Sequence, residues 1–249
     1  MKQGFLIPVY RHGESAGLLA EKLSSYNMPI IIVDDGNDKK TKDLLIQLAA
    51  NLALVDLVHI EKNSGKGGAV TRGLKRAKEL GLSHVLQIDA DAQHDIERAA
   101  FFLEESVKHP ENIICGCPEF DSTAPKSRVL GRNVSTFWAA VVTFSDALKD
   151  VLCGFRVYPV HRSLHIAQNP FMSKRMDFDP EIMVRLYWKK VFPLYHPIKI
   201  IYPDNGISNF HSIKDNIRIS LMFSRLFFEM LLRFPVILTR GFQYRKQKP

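Results

Sequence analysis

Short apolar runs alternate with helically spaced segments through the first half of this 249-residue chain, and that alternation restricts the fold more than any other feature. Residues 5–10 are apolar and short, and Leu18, Leu19, Leu23 and Tyr26 follow at helical spacing over 14–26. An apolar, β-branched run at 29–33 stops at Asp34-Asp35-Gly36, and 39–52 reads as a helix. Then come a loose strand at 54–60, a helix at 67–80 with Gly81 as its stop, and a strand at 84–88 that ends at Asp89. A helix at 95–108 and a strand at 113–117 complete the series. Strands alternating with helices imply βαβ units and a mostly parallel, buried sheet. The length suits one such domain with a small appendage, and 46% hydrophobic residues can build its core.

The second half is less regular. It reads as a long helix over 126–148, a strand at 153–159, a helix at 179–189 and a proline-broken strand at 192–202. The tail from 213 to 239 is helical, with Pro235 expected to kink or end it.

Two strands of the first half end in carboxylates, at Asp34-Asp35 and at Asp89-Ala90-Asp91. Open α/β sheets bind ligands beyond the carboxyl ends of their strands, so both clusters belong to one rim. Asp89 and Asp91 can converge on one divalent cation, and Gln93 can add a carbonyl oxygen; Mg²⁺ and Mn²⁺ prefer such ligands. The same triplet away from a strand end would read as a solvated turn. Asp34 or Asp35 can accept from a ribose or a base, or else cap the helix starting near Lys39. Asn63-Ser64-Gly65-Lys66-Gly67-Gly68 is a glycine-rich turn into a helix, suited to a phosphate or simply to a tight loop; it lacks Walker A spacing. Tyr10, just after the first strand, can stack on a base, and Glu14 can cap a helix or contact the base.

The net charge of +8 favours anionic partners, but no nucleic-acid motif is present and no nucleic-acid partner is expected. Much of the basic excess follows residue 185, where Lys and Arg flank apolar runs. Arg218, Arg225, Glu229, Arg233 and Arg240 interrupt an apolar segment over 217–240, which is too charged to span a bilayer comfortably and fits an interfacial helix. Packing on the sheet or in a dimer is the other reading of that helix. Three cysteines, Cys115, Cys117 and Cys153, argue against a disulfide framework. Met1 to Tyr10 shows no small-residue cleavage pattern, so the expectation is a cytoplasmic protein, peripheral on the inner face of the membrane.

Taken in order and spacing, Ile7-Pro8-Val9-Tyr10, Val33-Asp34-Asp35-Gly36, Asn63-x-Gly65-Lys66-Gly67 and Asp89-Ala90-Asp91-x-Gln93-His94-Asp95 resemble the family 2 glycosyltransferases of GT-A fold. Polyprenyl-phosphate sugar transferases of the dolichyl-phosphate mannose synthase kind are similar over roughly residues 4–210. The resemblance implies an inverting transfer from a UDP- or GDP-linked sugar to a lipid-linked acceptor. By position it assigns Pro8, Tyr10, Glu14, Asp34, Asp35, Lys66 and Asp89 to the nucleotide sugar, and Asp89, Asp91 and Gln93 to the metal and diphosphate.

It also places Ser127, Arg128, Arg132 and Ser135 where relatives contact an acceptor phosphate, and Asp150-x-x-Cys153-Gly154-Phe155-Arg156 beneath the acceptor. Arg128 and Arg132 also read as a solvated helix face. For a hydroxyl acceptor, Asp177, Asp179 and Glu181 are the candidate bases alongside catalytic Asp91; a phosphate acceptor needs none. Asp179 before Pro180 reads equally as a helix start.

Departures are Arg11-His12-Gly13-Glu14 after the first strand, and Asp204 and Asn209 where lipid-phosphate relatives carry Arg and Lys. The stretch at 202–220 looks more like a bacterial subgroup that accompanies lipid and aryl-polyene biosynthesis. The expected organisation is a GT-A domain over 1–211, an open and mostly parallel sheet flanked by helices, with an amphipathic extension over 212–249. A sugar-phosphate nucleotidyltransferase is a rival, although Pro8-Val9-Tyr10 stands where it would need a Gly-rich, Arg-containing loop. A non-catalytic membrane module on a degenerate fold is another, although both metal carboxylates are present.

Overall fold

The computed structural model describes residues 1–91, 93–119, 126–200 and 211–247, with the side chains of 126–128, 212 and 247 outside that description. The stretches at 120–125 and 201–210, and with them the segment bearing Asp204 and Asn209, lie outside the described residues.

The strands are β1 (Gln3–Val9), β2 (Ile30–Asp35), β3 (Val55–Ile60), β4 (His84–Gln87), β5 (Ile113–Glu119), β6 (Arg156–Pro159) and β7 (Pro193–Lys199). They form one sheet in the order β3-β2-β1-β4-β6-β5-β7. All neighbours are parallel except β6, which runs antiparallel between β4 and β5. β7 carries two prolines, and its place at the sheet edge tolerates their missing N–H groups.

Alternation along the strands divides the core into two layers. Phe5, Ile7, Val9, Ile30 and Ile32 face α1 (Gly13–Leu23), α2 (Lys39–Asn51) and α4 (Ala99–Lys108). Leu6, Ile31 and Val33 face the other layer, built on α3 (Lys66–Glu79), α6 (Val160–Ala167) and α7 (Phe178–Trp188). α5 (Lys126–Thr143), α8 (Ser212–Leu232) and α9 (Phe234–Gln247) pack outside this second layer.

Local signals set several boundaries. Gly81, at φ +71°, follows α3, and its N–H and that of Leu82 reach back to Lys78 O and Ala77 O, a closure that needs left-handed backbone. α5 ends at Thr143, five residues short of the expected end, because Phe144 turns left-handed at φ +49°. The helical tail breaks just ahead of Pro235, as expected: α8 stops at Leu232, and Pro235 sits in the first turn of α9, where no N–H is required. α6 has no counterpart among the elements read from sequence.

Candidate active site

Strands β2 and β3 lie on one side of β1, and β4 lies on the other. The chain therefore diverges between β1 and β4, and crevices open at such switch points, beyond the strand carboxyl ends. β4 delivers Asp89 there. The N-termini of α3 and α7 meet at the same place: a Cβ on Gly67 would stand 2.6 Å from the Phe178 ring. This contact brings Lys66, first residue of α3, between two carboxylates. Lys66 Nζ lies 2.7 Å from Asp89 Oδ2 and 2.7 Å from Asp179 Oδ2.

Burial alone would depress the lysine's pKa, but Asp179 and Asp89 outweigh it and hold Lys66 above its usual range. Burial would likewise raise Asp89; Lys66 and His94 overcome it, so its carboxyl titrates below the usual value. Gln87 Nε2 donates to Asp89 Oδ1 at 3.1 Å. Asp91 Oδ1 accepts from the Gln93 N–H at 3.2 Å, and Oδ2 has no hydrogen-bond partner among the described residues. Asp89, Asp91 and Asp179 against Lys66 and the buried Arg156 leave the cluster net negative. Among the described residues no group of three or more His, Cys, Asp or Glu is arranged to hold a metal ion.

Gly154 passes directly over Asp89: a Cβ there would stand 2.1 Å from Asp89 Oδ2. Arg156, two residues on, is fully buried. It donates to Val151 O at 2.7 Å, Tyr158 Oη at 3.2 Å and Asp179 O at 3.2 Å, and pairs with Asp179 Oδ1 at 3.5 Å. It therefore steadies Asp179 from below, with its Nε buried and without a partner among the described residues. Asp179 thus has one oxygen on Lys66 and the other near Arg156.

Glu181 is elsewhere. Two residues along a helix turn the side chain by about 200°, so Asp179 and Glu181 leave α7 on opposite faces. Glu181 is fully buried, accepting from Arg185 Nε at 2.6 Å, the Ser173 N–H at 2.9 Å and Arg225 Nη2 at 2.5 Å. The structure does not bring it to the Asp89 crevice.

The other strand-end carboxylates are engaged by the protein. Asp35 Oδ1 accepts from Ser64 N and Oγ at 2.7 and 2.6 Å; Oδ2 accepts from Gly65 N and Asn63 Nδ2 at 2.9 and 3.0 Å. Asp35 therefore shapes the glycine-rich turn. Asp34 accepts from Asn37 and from His59 Nδ1, at 2.7 Å each. Neither caps α2; Asp38 does, accepting from Thr41 N at 2.9 Å. Gly65, at φ +84°, precedes α3, and a Cβ there would meet Lys174 O at 2.5 Å. The 172–177 segment thus roofs the turn, with Gly68 N donating to Lys174 O and Arg175 paired to Asn63.

Pro8 and Tyr10 are half-buried at the end of β1, with the Arg11 guanidinium 5.1 Å from the Tyr10 ring. Glu14 is exposed in the first turn of α1. Arg132 pairs with Asp150, whose other oxygen accepts from the Leu152 and Cys153 N–H groups, and Ser135 is buried. The side chains of Ser127 and Arg128 lie outside the described residues. His94 is buried against Phe155, ring centroids 5.6 Å apart. Burial pushes the Cys153 thiol up to about 12, and Cys115 is buried likewise, so neither is a ready nucleophile or metal ligand.

The crevice at the sheet switch point is thus acidic at a strand end and cationic at a helix start, where open α/β sheets bind their ligands. The family model described as Glycosyl transferase family 2 matches residues 6–192, and the chain belongs to that family. It is an enzyme of glycosyltransferase type.

The chain is 24% identical over 219 residues to a UDP-N-acetylglucosamine–dolichyl-phosphate N-acetylglucosaminyltransferase of Methanococcus voltae, covering 82% of this chain and 87% of that one. It is 30% identical over 186 residues to an undecaprenyl-phosphate mannosyltransferase of Micrococcus luteus, covering 72% and 75%. Among solved structures, glucosyl-3-phosphoglycerate synthase from Mycobacterium tuberculosis, crystallised with Mn²⁺, UDP-glucose and phosphoglyceric acid, superposes with a TM-score of 0.63. It shares 13% identity over 96% of this chain and 79% of that one.

Proposed function

We propose that this enzyme transfers a sugar from a UDP- or GDP-linked donor to a membrane-associated lipid-phosphate acceptor, with inversion at the sugar carbon. The observation that carries this reading is Lys66 held between Asp89 and Asp179 at the meeting of two helix N-termini. Helix N-termini and a lysine favour a diphosphate, whereas the net negative carboxylates oppose it. A divalent cation resolves the conflict, and the donor set fits one. Asp89 and Asp91 offer two hard carboxylates, and Mg²⁺ commonly takes one or two of these and completes its shell from substrate phosphates and water. When bound, Mg²⁺ or Mn²⁺ supplies charge neutralisation for the diphosphate.

Lys66 lies within reach to follow the charge that grows on the departing diphosphate. The bond from the sugar carbon to the diphosphate breaks, an acceptor oxygen bonds from the opposite face, and the nucleoside diphosphate leaves. A hydroxyl acceptor would have to surrender a proton. Of the three candidate bases, Asp179 has both oxygens beside cations and Glu181 is buried among arginines, which leaves only the half-buried Asp177, itself accepting from the Arg175 N–H at 3.3 Å. A phosphate acceptor arrives already ionised, and this favours the lipid-phosphate reading. The names of the Methanococcus and Micrococcus relatives point to the same acceptor class.

Peripheral membrane contact on the cytoplasmic face belongs to the same proposal. Among the described residues no helix is long and apolar enough to cross a membrane. Yet Ile217, Leu221, Phe228 and Leu232 form an exposed stripe on α8, opposite the buried Met222, Leu226 and Met230. Leu130, Val134 and Phe137 are exposed on α5, and Phe144 and Phe234, ring centroids 5.1 Å apart, are exposed as well. Apolar area of this extent on a solvent-facing surface fits an interface with lipid.

The test is transfer of label from UDP- and GDP-sugars, with Mn²⁺, into undecaprenyl phosphate or undecaprenol in detergent. Label should enter the organic phase with the phosphate alone. Equal transfer to the alcohol would overturn the acceptor assignment, and turnover of no donor would overturn the whole reading.

A further inference from the structure

A groove of about 650 Å³ opens on the side of α7 facing away from Asp89, between the turn after α6 and helix α8. Gln168, Asn169, Arg185, Arg225, Glu229 and Arg233 line it. Three guanidinium groups there face two carboxylates, Glu181 and Glu229. Arg185 is buried and committed to both carboxylates. Arg225 donates through Nη2 alone, to Glu181 and Ser173, and Arg233 forms an ion pair through Nη2 with Glu229. Their Nε and Nη1 groups have no partner among the described residues. The groove therefore holds a net positive charge and spare guanidinium N–H donors, the chemistry that grips a phosphate.

Its rims are apolar. Phe171, 74% exposed, stands on one side; Phe228 and Leu232, 66% and 88% exposed, stand on the other. At about 100° per residue, Arg225 and Glu229 fall between the exposed stripe of α8 and its buried face. A lipid surface touching that stripe would set the groove at headgroup depth. A soluble anion would gain nothing from the apolar rims.

We propose that this groove binds the phosphate of an anionic lipid headgroup, a site separate from the catalytic crevice. This rests on the membrane contact proposed above. Glu181, buried behind Arg185 and Arg225, also accepts from the Ser173 N–H, in the segment whose Lys174 and Arg175 roof the glycine-rich turn. One short piece of chain thus borders both sites.

Co-sedimentation of the full chain with phosphatidylcholine vesicles, with and without phosphatidylglycerol, tests the proposal. The informative variant is the double substitution Arg225→Lys and Arg233→Lys, which keeps charge and removes the planar forks, with its thermal melt measured alongside. The wild type should prefer the phosphatidylglycerol vesicles. The double variant should lose about fivefold or more of that preference while holding phosphatidylcholine as before. Unchanged preference in the double variant would overturn the groove assignment and leave membrane contact standing. No binding to either vesicle by the wild type would overturn both. Calorimetric binding of inorganic phosphate that the double variant loses, with vesicle preference unaltered, would overturn the lipid assignment in favour of a soluble anion.

Discussion

Two acidic clusters end neighbouring parts of the same sheet, and they differ in what their oxygens touch. At the end of β2, Asp34 and Asp35 are buried and filled: Asp35 alone accepts four hydrogen bonds from the glycine-rich turn. Beyond β4, Asp89 is held by Lys66 and Gln87, and Asp91 keeps Oδ2 without a hydrogen-bond partner among the described residues. A carboxylate whose acceptor positions are filled by the protein shapes the chain. One with oxygens to spare is available to a ligand. Sequence position made the clusters look equivalent, and hydrogen-bond accounting separates them.

Substitutions should expose this division. The largest effect is expected for Asp89→Ala and Asp91→Ala, each lowering initial transfer rates on the order of a hundredfold or more, with melting temperatures little changed for Asp91→Ala. Wild-type rates in both would remove the distinction altogether.

Asp35→Asn should act the other way. It leaves the Ser64 and Gly65 N–H groups competing for one carbonyl oxygen, and should cost about 2–3 kcal/mol in chemical denaturation. A fully stable Asp35→Asn protein that has merely lost nucleotide affinity would place Asp35 with the ligand carboxylates.

Gly154→Ala comes next. Its new methyl would collide with Asp89, so the carboxylate or the chain must shift. The expected result is about a tenfold fall in kcat/KM with about 1–2 kcal/mol of destabilisation. Unaltered kinetics would mean that the placement of Asp89 is not critical.

The smallest effect belongs to Asp38→Ala. Asp38 is an exposed cap whose carboxyl the Thr41 N–H holds below the usual range. Its loss should lower Tm by only a few degrees and leave transfer rates unchanged.

Much of the scaffold was legible because it follows local rules. Strand-length apolar runs, helical spacing and Gly81 gave β1 to β5 and α1 to α4 within a few residues. The position of Asp89 at a strand end and of Lys66 at a helix start followed from the same pattern. What escaped depends on contacts between distant segments. Nothing near Glu181 announces Arg225, 44 positions later, so its burial could not be read and it looked like a base. Arg156 was expected beneath the acceptor only as part of a motif, and its burial against Asp179 and Tyr158 is visible only in the fold. Gly154 appeared as part of a motif, while the reason for a glycine, a carboxylate 65 positions earlier pressed against it, is visible only in three dimensions. α6 is short and mixes polar with apolar residues, and its packing against α3 rather than its own pattern marks it as a helix.

Calorimetric titration of UDP and GDP into the wild-type chain and Asp91→Asn, with and without Mn²⁺, is the sharpest check. The wild type should bind one nucleotide with an affinity that depends on the cation, and Asp91→Asn should lose that dependence while keeping its fold. Equal, metal-independent binding by both proteins would contradict the assignment of the β4 strand end as the diphosphate site.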